Sequence, residues 1–240
     1  MRTAAHDRSL AYSGPRVDDD LETGPTAIGF ARASAESLVW QIVEALERVL
    51  AFLLLLSASP VLLLCAGVIF LLCRRTPLIA HQRVGLGGRT IWVLKLRTMW
   101  PRAAFGPLAF VERVTDGKIP SAPKRRSDPR VNSRFASFCR KRSLDELPQL
   151  WNVVRGDMAL VGPRPLTRCE IELHYAEDAL ELLSRKPGIT GLWQVRGRSQ
   201  LSYRKRRRLD LILVRKWALP LYLRVLVATI PTVIAGKNAW

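Results

Sequence analysis

The sequence is poor in the residues that build disulfide frameworks and zinc sites. Its 240 residues include four cysteines and three histidines, and no two cysteines have the spacing C-x-x-C. Cys65 and Cys73 stand inside an apolar run, which is typical of buried or lipid-facing thiols. The composition therefore argues against a small secreted domain held together by disulfides. A zinc centre is not expected either, since the histidines are scattered.

Negative charge is also scarce in most of the chain. The sequence has 38 basic and 20 acidic residues, which gives a net charge of +18. The first 73 residues hold five basic and eight acidic residues, so the positive excess belongs to the remainder. An excess of positive charge of this size suits an anionic partner, namely lipid headgroups, nucleotides or nucleic acid. A soluble enzyme that acts on a neutral metabolite does not need it.

Residues 1–37 lack a sustained hydrophobic period and contain the acidic run Asp18–Asp20. We predict that this segment is a disordered tail. It does not have the pattern of a signal peptide, because no apolar stretch follows the first basic residue.

Charge is absent from residues 49–73. As one straight helix this run is about 37 Å long, which exceeds the roughly 30 Å hydrocarbon core of a bilayer. Pro60 interrupts the run, because the carbonyl of Leu56 then lacks its helical donor, although the hydroxyls of Ser57 and Ser59 can bond to freed carbonyls. Two structures stay open: a kinked transmembrane helix, and a helix that enters and leaves by the same face. Physical reasoning alone favours the span, since re-entrant segments are rarer.

Basic residues flank this run on both sides. Arg48 precedes it, and Arg74 and Arg75 follow it. The larger positive excess lies downstream, which places the bulk of the chain in the cytoplasm with either structure.

Glycines separate two strand-like segments between residues 78 and 99. Gly85, Gly87 and Gly88 supply the turn of a predicted hairpin. Two cations on one face of its second strand suit an anion, although a solvated strand has the same pattern. The period of two places four side chains on that face: Ile91, Val93, Lys95 and Arg97. Residues 100–130, which contain five prolines, are predicted to form a loop.

Two helical segments are predicted in the second half of the chain. Residues 166–186 have an amphipathic pattern and begin with a capping box of Thr167 and Glu170. Residues 209–234 mix apolar, aromatic and basic side chains, which is typical of helices that lie in the membrane interface. We expect this second helix to be divided at its prolines, Pro220 and Pro231.

Two adjacent carboxylates are the strongest chemical signal. Ser143 and Glu146 have the spacing of a capping box, although Pro148 moves the predicted helix start a residue or two further along. Asp145 and Glu146 would then lie in the first turn, where backbone N–H groups stabilise negative charge and can bind phosphate. Adjacent helical side chains diverge by about 100°, so one carboxylate could attack while the other holds a metal. The alternative is that both carboxylates only stabilise the first turn of the helix, and a sequence pattern of this kind indicates that role more often than a catalytic one.

A rigidly placed arginine follows the carboxylates. Pro163 and Pro165 flank Arg164 and hold it in a stiff, extended backbone, which suits bidentate binding of phosphate. The segment 186–198 adds glycine-rich turns, a tryptophan and a pair of arginines that ends with Arg198. Each of these pieces could be structural on its own.

Four stretches follow the apolar run in order: Lys95–Met99, Ser143–Gln149, Gly156–Pro165 and Lys186–Arg198. With its strings L-D-E-L-P-Q and V-G-P-R-P, this set resembles the bacterial sugar transferase family, the monotopic phosphoglycosyl transferases. The resemblance covers residues 42–232 and corresponds to the short form of that family.

The resemblance implies an enzyme that transfers a sugar-1-phosphate from a UDP-sugar to a polyprenyl phosphate and releases UMP. It implies that Asp145 is a nucleophile that forms a covalent phosphosugar intermediate, and that Glu146 binds Mg²⁺. Phosphoryl transfer needs cations around the attacking oxygen. We predict four such cations, Lys95 as a catalytic residue and three arginines as substrate-binding residues: Arg97, Arg164 and Arg198.

The resemblance also implies the architecture. We predict a mainly α-helical monotopic membrane protein with a small β-hairpin and a re-entrant break at Ser59 and Pro60, which reverses the preference for a span. Residues 1–37 would be the tail, residues 38–75 the membrane-embedded helix, and residues 76–240 a catalytic domain with interfacial helices from about residue 209. The catalytic part would lie on the cytoplasmic face of the bacterial inner membrane, and a homodimer is left open.

The competing class is a basic membrane-tethered binding or scaffold protein without catalysis. Its best support is the basic run Arg204–Arg208. This run lacks interleaved aromatic residues and any nucleic-acid motif, so we interpret it as a membrane-surface anchor and expect no nucleic-acid partner. Sugar specificity is assigned to the 100–130 segment.

Overall fold

A computed structural model of the protein describes residues 38–100, 109–115, 131, 133–197 and 200–235. The predicted disordered tail, most of the predicted loop and Arg198 lie outside the described residues. Helices dominate the described part, and two small sheets accompany them. The prediction of a mainly α-helical protein with a β-hairpin is confirmed.

The helices and strands follow one another in this order. Before residue 156 the chain forms α1 (Leu38–Cys73), β1 (Leu78–Val84), β2 (Thr90–Leu96), β3 (Glu112–Val114), α2 (Arg134–Lys141) and α3 (Gln149–Arg155). After it come β4 (Ala159–Val161), α4 (Arg168–His174), α5 (Ala179–Leu182), β5 (Gly188–Thr190), α6 (Leu192–Arg196), α7 (Tyr203–Arg215) and α8 (Leu219–Ala235). Short 3-10 turns are present at Leu86–Gly88, Leu144–Glu146 and Ala176–Asp178.

The helix α1 has the length and the apolar composition needed to cross a membrane. It is continuous through Pro60. The hydroxyl of Ser59 donates to the carbonyl of Leu56 at 2.7 Å and so replaces the N–H that Pro60 lacks. Ser57 donates in the same way to Leu54 at 3.0 Å. The predicted bond to the carbonyl that Pro60 frees is confirmed for Ser59, whereas the acceptor of Ser57 is a carbonyl that Pro60 does not free. The predicted break is absent from the helical backbone, and a re-entrant path through the membrane stays a prediction.

One stripe of α1 packs against the rest of the protein. Near the start of the helix, Glu47 accepts hydrogen bonds from the backbone N–H of Leu160, at 2.7 Å, and from the hydroxyl of Tyr222. The buried residues recur at helical spacing: Glu47, Ala51, Cys65, Ile69 and Cys73. The other side exposes large apolar residues, among them Leu46, Val49, Leu53, Leu56, Leu64 and Leu71. An apolar surface of this extent is consistent with a monotopic membrane protein.

The predicted hairpin is confirmed. β1 and β2 pair antiparallel, and Gly87 and Gly88 adopt positive φ angles of 64° and 86° in the turn between them. β3 runs parallel to β1 on its other side, where Glu112 is paired with Ile79.

A side chain completes the outer edge of β2. Asn152 of α3 accepts a hydrogen bond from the backbone N–H of Leu94, at 3.0 Å, and donates one to the carbonyl of Trp92, at 2.8 Å. The amide of Asn152 is buried, and its bonds replace those of a neighbouring strand. The contact therefore fixes α3, and the turn that precedes α3, against the hairpin.

Two glycines touch where β4 and β5 run parallel. A Cβ atom on Gly188 would overlap the backbone nitrogen of Gly162, and a Cβ atom on Gly162 would overlap the carbonyl of Lys186. Neither position tolerates a side chain, because the overlapping atoms belong to the backbone. The segment around Gly162 and the segment around Gly188, which are separate in the sequence, are therefore in direct backbone contact in the structure.

The predicted helix over residues 166–186 is wrong in its extent. Thr167 and Glu170 do form the predicted capping box. The helix α4 nevertheless ends before Tyr175, whose φ is −128°, and a 3-10 turn precedes α5. The side chain of Tyr175 is buried, and its hydroxyl donates to Asp210 at 3.0 Å. Packing against α7 has therefore overridden the amphipathic pattern.

The two C-terminal helices also differ from the prediction. The helix α7 begins at Tyr203 and contains the basic run, and α8 contains both prolines. Pro220 lies in the first turn of α8, where no helical N–H bond is lost. Beside Pro231 the hydroxyl of Thr232 donates to the carbonyl of Ala228 at 2.7 Å. The segment is divided just before Pro220, between Arg215 and Leu219, so the predicted division is confirmed there and wrong at Pro231. The amphipathic character is confirmed: Tyr222 and Val225 are buried, and Leu223, Val227 and Ile230 are exposed.

We predict that Asn152→Ala destabilises the protein by about 1–3 kcal/mol, because it leaves the backbone groups of Leu94 and Trp92 without their buried partners. Thermal unfolding in detergent should show a lower midpoint for this variant. Arg155→Gln, on the exposed part of the same helix, serves as the control and should leave the midpoint unchanged. An unaltered midpoint for Asn152→Ala would show that this contact does not hold the hairpin.

Candidate active site

The two carboxylates lie in the 3-10 turn between α2 and α3. Ser143, which precedes the turn, has a positive φ of 57°, and its hydroxyl makes no capping hydrogen bond. The predicted capping box of Ser143 and Glu146 is therefore wrong, because a left-handed residue cannot present its side chain as a cap. The helix α3 begins at Gln149, after Pro148, which confirms the predicted delay of the helix start.

Asp145 is buried in this turn. Burial, followed by the negative charge of Glu146, raises the pKa of Asp145 to about 6. The positive charges of Lys95 and Arg140 act in the opposite direction. The carboxylate is thus ionised near neutral pH, although it has lost most of its hydration.

Glu146 forms an ion pair with a lysine of the hairpin. Its Oε1 lies 3.0 Å from Nζ of Lys95, near the end of β2. The predicted catalytic lysine is therefore placed beside the carboxylate pair. Arg140, in the last turn of α2, contributes a second cation that the sequence patterns did not indicate.

Arg97 makes other contacts. It donates to the carbonyl of Thr76 at 2.8 Å and forms an ion pair with Glu112 of β3 at 2.7 Å. Burial lowers the pKa of Arg97, although Glu112 opposes this shift. Lys95 and Arg97, which were expected to serve one anion together, are therefore divided between two carboxylates. A contact of Arg97 with substrate stays a prediction.

Arg164 lies in the loop after β4. Its guanidinium carbon lies 5.5 Å from the centre of the Trp193 ring, and its positive charge contributes to lowering the pKa of Glu170. Of the other predicted positions, Ser59 and Pro60 lie on α1. The sequence did not single out Asn152, since its role depends on partners distant in the chain.

Among the described residues, no group of three or more His, Cys, Asp or Glu side chains is arranged to hold a metal ion. Asp145 and Glu146 offer only oxygen atoms. Mg²⁺ retains several waters and binds through one or two carboxylates together with substrate phosphates. The carboxylate pair therefore fits Mg²⁺ when a phosphate substrate is present, and it does not fit a metal that needs a complete set of protein ligands.

The fold and the site define a mainly helical protein that presents a large apolar surface and holds two carboxylates among cations. The model of the family described as bacterial sugar transferase matches residues 39–236. The chain therefore belongs to the bacterial sugar transferase family.

Curated relatives agree with this assignment. The UDP-galactose-lipid carrier transferase of Erwinia amylovora is 42% identical over 68% of this chain and 34% of its own length. The exopolysaccharide production protein ExoY of Sinorhizobium fredii is 37% identical over 80% of this chain and 85% of its own length. The undecaprenyl-phosphate galactose phosphotransferase of Salmonella typhimurium is 39% identical over 68% of this chain. The matched region is about a third of the Erwinia and Salmonella proteins.

We predict that Asp145→Asn stabilises the protein at pH 7.5. The raised pKa of Asp145 means that the folded state binds its proton more tightly, so stability falls as pH rises from about 4 through 6. Removing the buried charge should recover about 2–3 kcal/mol above pH 6. Thermal unfolding in the absence of divalent metal measures this effect.

The difference between Asp145→Asn and the wild type should shrink as the pH is lowered to 4. Asp157→Asn, which removes a more exposed carboxylate that pairs with Arg155, is the control. A lower midpoint for Asp145→Asn at pH 7.5 would contradict a net cost of burying this charge.

Proposed function

We propose that the protein transfers a sugar-1-phosphate from a UDP-sugar to a polyprenyl phosphate and so initiates the assembly of a polysaccharide or glycoconjugate. The observation that carries the proposal is the buried Asp145 beside the ion pair of Glu146 and Lys95. Membership of the family supports it. So do the names of relatives, which include a UDP-glucose:undecaprenyl-phosphate glucose-1-phosphate transferase of Xanthomonas campestris.

The reaction proceeds in two displacements at one phosphorus atom. A carboxylate oxygen of Asp145 attacks the phosphorus that bears the sugar, the bond from this phosphorus to the bridging oxygen breaks, and UMP leaves with the electron pair. An oxygen of polyprenyl phosphate then attacks the same phosphorus and releases Asp145. The product is a polyprenyl-diphospho-sugar. Because the covalent intermediate divides the reaction, a soluble donor and a lipid acceptor use one site in turn.

The surroundings of Asp145 suit this chemistry. Partial desolvation makes the carboxylate a stronger nucleophile, and the raised pKa is the measure of that change. Lys95 and Arg140 supply positive charge where the transferred phosphoryl group places negative charge. Glu146, oriented by Lys95, would hold Mg²⁺, which neutralises charge on the phosphoryl oxygens when it is bound.

The packing of α1 supports a monotopic location on the membrane. Ala51 packs with Val153 in one buried cluster, and Ile69 packs with Cys139 in another. The first cluster includes residues of α3 and β4 and the second residues of α2, and β2 contributes to both, so the two halves of the helix contact neighbouring short elements of one fold. A straight crossing would draw these contacts to opposite sides of a bilayer about 30 Å thick. We therefore retain the re-entrant path, with the catalytic part on the cytoplasmic face of the inner membrane.

The alternative of a noncatalytic basic protein receives less support from the contacts of its basic run. Arg207 forms an ion pair with Asp178, and Arg206 lies over the ring of Trp193 at 5.0 Å. Part of the run thus stabilises the fold.

The proposed reaction predicts that the purified protein releases UMP from a UDP-sugar when polyprenyl phosphate and Mg²⁺ are present, and that EDTA stops this release. Asp145→Asn should abolish turnover, since an amide oxygen is too weak a nucleophile, while the variant still folds and binds membrane. Mass spectrometry of the wild type without acceptor should detect the phosphosugar adduct on Asp145. Substantial activity of the Asn variant, with deamidation excluded, would refute the assignment of the nucleophile.

The proposed topology predicts that a cysteine placed at residue 20, in a variant whose four native cysteines are replaced, is protected from a membrane-impermeant thiol reagent in intact cells. The reagent should label it after lysis, which is the positive control. Replacing both Ser59 and Pro60 by leucine should favour a path across the membrane and expose the tag. Labelling of the protein with Ser59 and Pro60 intact, in intact cells, would show that α1 crosses the membrane.

A further inference from the structure

The segment that carries Arg164 has few backbone hydrogen-bond donors. Pro163 and Pro165 lack an N–H group, so the N–H of Arg164 is the sole main-chain donor of the P-R-P string. The chain is buried on both sides of this string, at Gly162 and at Leu166. A donor in such a place needs an acceptor from another part of the chain.

The acceptor that faces this N–H is the carboxylate of Asp210, on α7. Asp210 is buried, with 1% of its surface exposed, and its Oδ2 accepts a hydrogen bond from the hydroxyl of Tyr175 at 3.0 Å. Burial raises the pKa of Asp210 to about 7, whereas the hydroxyl of Tyr175 and the backbone N–H of Arg164 both act to lower it. The carboxylate therefore connects α7 and the residue that follows α4 to the loop of Arg164.

The contacts of Asp210 are not those of a group that only stabilises the fold. Among the described residues, its Oδ1 has no close hydrogen-bond partner, although the side chain is buried. A buried carboxylate with an unsatisfied oxygen lowers the stability of the folded state, and an uncharged side chain of similar shape often costs less. The charge of Asp210 is therefore expected to serve the position of the loop more than the stability of the protein.

The side chain of Arg164 depends on this loop for its direction. Its guanidinium carbon lies 5.5 Å from the centre of the ring of Trp193, which is buried and so restrains the far end of the side chain. The near end is the Cα atom, whose place is set by the loop. A shift of the loop would therefore displace the guanidinium, and paired hydrogen bonds to a phosphate tolerate little displacement.

We propose that Asp210 and Tyr175 are positioning residues for Arg164. Asp210 holds the backbone N–H of Arg164, Tyr175 orients Asp210, and the guanidinium of Arg164 is thereby kept in place to bind a phosphate group of a substrate. The proposal rests on the transferase function proposed above, which supplies two phosphate compounds, the UDP-sugar and polyprenyl phosphate. Neither Asp210 nor Tyr175 contacts the substrate, so both act through Arg164.

Two conservative substitutions separate this role from a structural one. Asp210→Asn keeps the shape of the side chain and removes the charge that attracts the N–H of Arg164. Tyr175→Phe removes the hydroxyl that orients the carboxylate. The matched control is Asp178→Asn, which removes a carboxylate bonded at 2.7 Å to Arg207, on the same helix as Asp210.

Calorimetry on the full chain in detergent measures the dissociation constants of UMP and of a short-chain polyprenyl phosphate, and thermal unfolding at pH 7.5 measures stability. Arg164→Gln identifies which compound depends on Arg164. We expect it to weaken that compound about tenfold or more, and Asp210→Asn and Tyr175→Phe to weaken the same compound about threefold or more. Asp210→Asn should keep or raise the unfolding midpoint, because it removes a buried charge. Asp178→Asn should leave both dissociation constants within about twofold of the wild type.

A double substitution shows whether Asp210 acts through Arg164. In the Arg164→Gln background, Asp210→Asn should change the dissociation constant by less than about twofold, since the guanidinium that Asp210 positions is gone. An equal loss of binding in both backgrounds would show that Asp210 affects the site by another route and would overturn the proposal.

The proposal is also overturned if the folded Asp210→Asn and Tyr175→Phe variants bind both compounds within about twofold of the wild type. The same conclusion follows if both variants lose binding together with a lower unfolding midpoint, or if Arg164→Gln itself has no effect. Release of UMP by the wild type tests the transferase function independently, because none of these binding constants requires turnover.

Discussion

The burial of one carboxylate beside another is the constraint on which the site depends. Desolvation and the charge of Glu146 both disfavour the ionised form of Asp145, so cations must come from outside the turn. Lys95 comes from the hairpin and Arg140 from α2, and removing either would weaken the electrostatic stabilisation of the buried carboxylate. The position of the hairpin edge therefore matters as much as the carboxylates themselves, and the amide of Asn152 fixes that edge to α3.

The membrane-associated helix is built under a second constraint, because its two sides have different surroundings. Its exposed side is apolar, whereas its packed stripe includes Glu47, which bonds to the backbone of Leu160 and to Tyr222 of α8. A buried carboxylate with two donors is compatible with an apolar helix only where the protein covers it. This contact ties the start of α1 to β4 and to α8. It therefore holds the two helices that expose apolar side chains against the strand that pairs with β5.

The stretches that resemble the sugar transferase family meet in space for steric reasons. Gly162 and Gly188 allow two backbones to touch, and this contact places the loop of Arg164 beside α6 and the ring of Trp193. The glycines and prolines of these stretches thus set the backbone that positions Arg164. Asp210 and Tyr175 lie beneath the same loop and connect it to α7.

The sequence by itself determined the features that depend on neighbours a few residues apart. These include the hairpin and its glycine turn, the capping box of Thr167, the bonds of the serines to the carbonyls before Pro60, and the adjacency of the two carboxylates. Tertiary structure decided which cations meet which carboxylates. Lys95 and Glu146 are 51 residues apart, and Arg97 joins Glu112 although it shares a predicted face with Lys95. Periodicity describes directions within one element, whereas an ion pair depends on how separate elements pack.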